Sequence, residues 1–198
     1  MGDVSSFAFT ISLAAVINGL GLVRLLTALA TYTQGRHKVT HYWVYALLLF
    51  FQFLMHILLW WAMFGTRAAG TLNFLQYLYL LVGPIIMFLS TSMLLPDIKD
   101  GAVDMRALYS QVVHPYFAVT SLLWLWAIFL WPILVGAFAP AWPIFMGMFF
   151  LALVLRFSTP NRAHAFLVPV YCVAILVFIA LYQLELGGPA RQLMESVQ

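Results

Sequence analysis

No acidic residue and no lysine falls inside any of the long apolar stretches of this 198-residue chain. The first absence removes the mid-membrane carboxylate used by proton-coupled carriers and by aspartyl intramembrane proteases, and the second removes a retinal Schiff base. Charge is scarce throughout, at 8% of residues against roughly 25% in an average soluble domain. The single cysteine, Cys172, lies within an apolar stretch and has no intrachain partner, so cysteine usage says nothing about redox compartment. H-E-x-x-H, G-x-S-x-G and a glycine-rich phosphate loop are all missing. Neither a general acid–base pair nor an activated nucleophile can be assembled, so the enzyme reading ranks last, and no cofactor or metal is expected.

Hydrophobicity is what the chain has in abundance: 65% of residues are hydrophobic and the mean hydropathy is +1.00. Six apolar segments, at about 7–32, 42–64, 71–95, 112–138, 141–157 and 163–184, are near or above the roughly 20 residues needed to cross ~30 Å of hydrocarbon. The fifth is the shortest. Hydrocarbon offers the backbone no hydrogen-bond partners, so each segment is expected to be helical. These features predict an all-α, polytopic membrane protein of six transmembrane helices in one domain over residues 1–198. The connections leave no room for a soluble domain, which rarely runs below about 50 residues in one piece. The first segment is too long for a signal-peptide core and lacks a basic leader, so it reads as a retained span. The halves share no aligned motif, which disfavours an inverted repeat.

Basic residues set the orientation. With the N-terminus outside, Arg24, Arg36, Lys38, Lys99, Arg106, Arg156 and Arg162 fall on the cytoplasmic side, leaving Arg67 and Arg191 outside. The positive-inside rule therefore predicts an N-out/C-out topology. Aromatic residues mark both interfaces in the same frame, except Trp124 and Trp126 near mid-membrane, whose indole N–H groups call for partners inside the protein. The longest connection, 96–111, offers Asp104 as an N-cap for a helical continuation through Met105–Tyr109. Only Ala139-Pro140 separates the fourth and fifth spans, which predicts an antiparallel hairpin.

Polar side chains deep in a membrane are the default functional candidates. Asn18 lies in the first span beside Gly19 and Gly21; Gln52 and His56 share a face of the second; Asn73 and Gln76 share a face of the third. Counted at 1.5 Å per residue, they reach overlapping depths and are expected to form one polar network open to the outer surface. The competing reading, favoured on energetic grounds, is interhelical bonding that only fixes packing, at about 0.6–2 kcal/mol per contact. Arg24 lies close enough to its span's cytoplasmic end to snorkel, and with Arg36, Lys38 and Arg162 it forms a cationic face suited to anionic lipid headgroups. His37, His41, His114 and His164 lie near that face, where neighbouring cations and the lack of accompanying Cys or carboxylate ligands disfavour a metal. The Gly83-Pro84 pair is expected to bend the third helix.

Gly35-Arg-His-Lys-Val-Thr-His-Tyr-Trp43, Leu59-Trp-Trp61, Leu94-Leu-Pro-Asp97 and Val103-Asp-Met-Arg-Ala-Leu-Tyr109 resemble segments of a group of uncharacterised small bacterial multi-pass inner-membrane proteins. The resemblance covers roughly the first 110 residues; it implies a bacterial inner membrane and no activity. The expected function is a permease-like or channel-like binding unit of unknown substrate. The alternative is a structural or regulatory subunit of a larger membrane complex. Expected partners are the bilayer with its anionic lipids, and other copies or subunits; nucleic acid is not among them.

Overall fold

The computed structural model of the chain describes residues 2–33, 39–95, 103–160 and 162–184. Six helices account for nearly all of them: α1 (Gly2–Thr33), α2 (Trp43–Gly65), α3 (Phe74–Leu94), α4 (Met105–Val135), α5 (Trp142–Phe157) and α6 (Arg162–Phe178). A 3-10 turn, Thr66–Ala69, follows α2, and α6 runs on as a π-helical turn, Ile179–Gln183. Five of the six are long and apolar enough to cross a membrane; α5, at 16 residues, is shorter.

The helices alternate in direction. Two short extended pieces, β1 (Val39–Thr40) and β2 (Val103–Asp104), pair in parallel and join the α1–α2 connection to the α3–α4 connection at one end. Arg106, Arg156 and Arg162 lie at this basic end. His114 Nδ1 meets the Arg156 carbonyl at 2.6 Å, which brings the start of α4 beside the end of α5. At the distal end Gln76 Nε2 donates to the carbonyls of Ile133 and Leu134, at 3.1 and 3.2 Å, tying the start of α3 to the end of α4.

Local chemistry explains the helix ends. Asp104 caps α4 as expected, its carboxylate accepting from the Arg106 and Ala107 amides. The fourth helix therefore begins at Met105, seven residues before the expected 112, because the cap and the following residues extend it beyond its apolar part. It ends at Val135 rather than 138: Gly136, at φ 77, closes it in a left-handed conformation that favours glycine. Gly136–Ala141, not Ala139-Pro140 alone, is thus the α4–α5 connection. Pro84 is buried within a continuous α3.

Each helix shows the rest of the bundle a stripe and leaves the remainder apolar and exposed. On α1 the buried positions are Ala14, Asn18, Gly21 and Leu25, spaced three and four apart. Val16, Val23 and Leu29 on its other faces are each more than half exposed, an apolar surface of the kind that faces lipid. The second helix touches α1, α3, α4 and α6. This central placement brings its polar face, Gln52 and His56, into the core.

Candidate functional site

Where α1, α2, α3 and α4 meet, a layer of polar side chains crosses the bundle. Its centre is His56, fully buried. A ring this close to α1 requires Gly21, since a Cβ there would stand 2.8 Å from His56 Nε2. Asn18 Nδ2 donates to the His56 carbonyl at 3.0 Å, which turns Asn18 Oδ1 toward His56 Nδ1 at 2.7 Å. An amide oxygen only accepts, so Nδ1 carries the proton and donates it. Among the described residues no carboxylate bonds the ring to balance a second proton, so the ring is neutral and Nε2 is an acceptor. Thr91 Oγ1 donates to it at 2.7 Å.

The rest of the layer follows from that assignment. Gln52 Nε2 donates to Thr91 Oγ1 and to Ser90 Oγ, both at 2.9 Å. Ser90 donates to the Met87 carbonyl at 2.8 Å. Tyr116 OH, from α4, donates to Gln52 Oε1 at 2.9 Å. Every side-chain donor in the chain from Tyr116 to Asn18 thus points in a determined direction, and four helices are cross-linked. Asn18, Gln52 and His56 are brought together as expected, but the layer is closed, with Gln52 and Asn18 only 2% exposed. Asn73 and Gln76 do not join it. They form a reciprocal capping box at the start of α3, each side chain bonding the other's backbone N–H at 2.9 Å.

The expected headgroup residues divide. Arg36 and Lys38 lie outside the described residues. Arg162 is exposed at the start of α6. Arg24 reaches inward instead, donating to the Leu95 carbonyl at 3.0 Å, where α3 ends and leaves carbonyls without helical partners.

At the basic end, Ser158, His164 and Tyr109 stand in a row. His164 Nε2 lies 2.8 Å from Ser158 Oγ, and its Nδ1 lies 2.7 Å from Tyr109 OH. Proton accounting argues against a nucleophile here. His164 Nε2 also lies 3.2 Å from the Ser158 carbonyl, which only accepts, so Nε2 carries the proton; Nδ1 then accepts from the Tyr109 hydroxyl, and the Ser158 hydroxyl points to the Leu155 carbonyl at 3.3 Å. A histidine in that tautomer cannot take the serine proton. The row joins α4, α5 and α6 as a structural tie. No group of three or more metal-ligating side chains occurs among the described residues.

Above the polar layer, toward the distal end, lies a cavity of about 90 Å³. Met87 forms part of its wall, and Gln52 Nε2 approaches the same residue's Sδ at 3.4 Å. Trp124, Trp126, Trp131, Phe145 and Phe178 contribute aromatic walls. Trp124 and Trp126 have the indole partners their depth demanded: Nε1 donates to Tyr171 OH at 2.9 Å and to the Tyr79 carbonyl at 2.8 Å, respectively. Gln183 is the cavity's one amide side chain, and neither it nor the Trp131 indole has a hydrogen bond among the described residues. Both are at least nine-tenths buried. Sequence reasoning passed over Gln183, Ser90, Thr91 and Tyr116. A shallower groove between α1 and α2 reaches Asn18 and His56, but the polar atoms at its floor are already bonded.

Comparison with protein-family models, with curated proteins and with solved structures finds no match for this chain.

Proposed function

We propose that the protein is a permease-like binding unit of a bacterial inner membrane, whose six helices all lie in the bilayer with both termini outside. It holds a small, mostly apolar molecule in the distal cavity. One observation carries the reading: an apolar cavity sits directly on a closed polar layer and is lined by two mostly buried residues with polar side-chain ends, Gln183 and Trp131, that make no hydrogen bond among the described residues. Among the described residues the buried orphaned side-chain atoms are Trp61 Nε1, Ser92 Oγ and Thr120 Oγ1; the Gln183 amide and the Trp131 indole N–H keep some accessible surface instead, which leaves them open to a ligand's polar atoms. The saturated layer below supports a binding unit over an open channel, because Asn18, Gln52 and His56 are all buried and bonded across the bundle. The basic end would face the cytoplasm and its anionic lipids, with Arg162 exposed among the headgroups.

Native mass spectrometry of protein released in mild detergent tests the reading. A small molecule should accompany the wild type and be missing from Ala127→Leu, which fills the cavity. Absence of any bound species, together with no thermal stabilisation by small apolar compounds, would sink it. Cysteines placed at Lys38, Lys99 and Arg162 should resist labelling from the periplasmic side of intact cells; ready labelling there reverses the orientation.

A further inference from the structure

We propose that the distal cavity recognises a neutral single aromatic or quinoid ring bearing a carbonyl or phenolic oxygen. This rests on the reading of that cavity as a ligand site and gives it a substrate class. Charge is excluded first. No lining residue is ionisable, and a charged group buried without a partner is far too costly to hold. Size comes next. At about 90 Å³ the cavity is somewhat smaller than the ~150 Å³ apolar cavity that takes up benzene. Met55, Met63 and Met87 in its wall are unbranched and adapt to a guest. The pocket is partly open rather than enclosed, so it seats part of a single substituted ring and leaves the rest at its mouth.

Shape then favours a flat guest. Three tryptophans and two phenylalanines line the space, and aromatic faces and edges prefer another ring in offset or edge-on contact. Polarity completes the assignment. Trp124 and Trp126 have already committed their indole protons to Tyr171 and Tyr79, so Trp131 is the tryptophan whose N–H remains for a ligand. An indole N–H only donates, so the guest must carry an acceptor, which a ring carbonyl or phenolic oxygen supplies. The Gln183 amide both donates and accepts, which suits a second carbonyl or a phenolic hydroxyl. Gln183 also ends the π-helical turn of the chain, a backbone irregularity that often accompanies functional sites.

The same ring chemistry arises from two sources, a free small quinone or phenol and the headgroup of a prenylated quinone dissolved in the membrane. Equilibrium binding to full-length protein in nanodiscs, corrected against empty nanodiscs, separates them. Tetramethyl-1,4-benzoquinone should bind saturably, and Trp131→Phe and Gln183→Leu should each weaken it at least tenfold while leaving toluene binding unchanged. A decyl-substituted quinone binding more tightly than the tetramethyl compound identifies the membrane-dissolved source; equal or weaker binding identifies the free ring. If Trp131→Phe does not yield folded protein, Gln183→Asn, which withdraws the amide by one methylene, carries the same test. Toluene binding without quinone binding, or quinone binding indifferent to both substitutions, overturns this assignment and leaves the cavity as an apolar site. Failure of both probes to bind the wild type, with Ala127→Leu indistinguishable from it, overturns the cavity reading itself.

Discussion

The polar layer around His56 and the cavity just above it are built on opposite principles. In the layer, Asn18, His56, Thr91, Gln52, Ser90 and Tyr116 satisfy one another, and every side-chain donor but the second N–H of Asn18 is committed within it. In the cavity the walls are apolar, and Gln183 and Trp131 have no partners among the described residues. A saturated network resists change because removing any member strands another in low dielectric. A cavity with spare polar groups is a place where stability has been forgone. The contrast separates what holds this bundle together from what it can hold.

Substitution should separate the two regions by effect. His56→Ala breaks the layer at its centre, leaving the Asn18 oxygen and the Thr91 hydroxyl without their partner. At about 1–3 kcal/mol for each stranded group, the loss should be about 4 kcal/mol, read as a large drop in melting temperature in detergent. A His56→Ala protein with near-wild-type stability and lost binding would transfer the layer from structure to function. Gly21→Ala should come next, near 2 kcal/mol, because overpacking costs about 1–3 kcal/mol and the ring it meets is bonded at both nitrogens. Tyr116→Phe removes only the terminal donor and should cost about 1 kcal/mol. Gln76→Ala, in the exposed capping box, should cost about 0.5–1 kcal/mol. Ala127→Leu is the control from the other region: it should leave the melting temperature unchanged or raised, and a loss comparable to that of Gly21→Ala would show the cavity to be as tightly specified as the layer.

Much of this was legible in the sequence where a residue's environment follows from depth alone. The apolar segments gave the helices, because hydrocarbon permits little else. His56 had to face inward and find partners, and Asn18 is one of them. Trp124 and Trp126 likewise had to be bonded. Thr91, Ser90 and Tyr116 gave no signal, because serine and threonine can bond their own helix's carbonyls and tyrosine near a span end resembles an interface residue. Their role depends on the rotation of α3 and α4, which hydropathy does not encode. Asn73 and Gln76 were misassigned for a different reason. Placed by depth they join the network, yet Asn-x-x-Gln at a helix start is also a capping pattern, and the helix begins there rather than at 71. The outward-opening network failed with them.

One contact between α3 and α4 governs how this protein can move. Tyr79 OH donates to the Trp126 carbonyl at 3.0 Å, while Trp126 Nε1 donates to the Tyr79 carbonyl at 2.8 Å. The two rings stack at 6.4 Å, and Gly83 supplies the gap into which the tryptophan fits, since a Cβ there would lie 2.7 Å from Trp126 Cε2. Such a two-way clasp works like a key in a shaft: neither helix can spin or slide without shearing both bonds and driving the indole into the backbone. The α3–α4 pair should therefore swing as one lever, with Trp126 exposed to whatever enters the cavity. Binding would be communicated as a tilt of that lever, passed to α1 through its packing on α3 and the Arg24–Leu95 bond, and to α2 through the Gln52 and His56 bonds to α3.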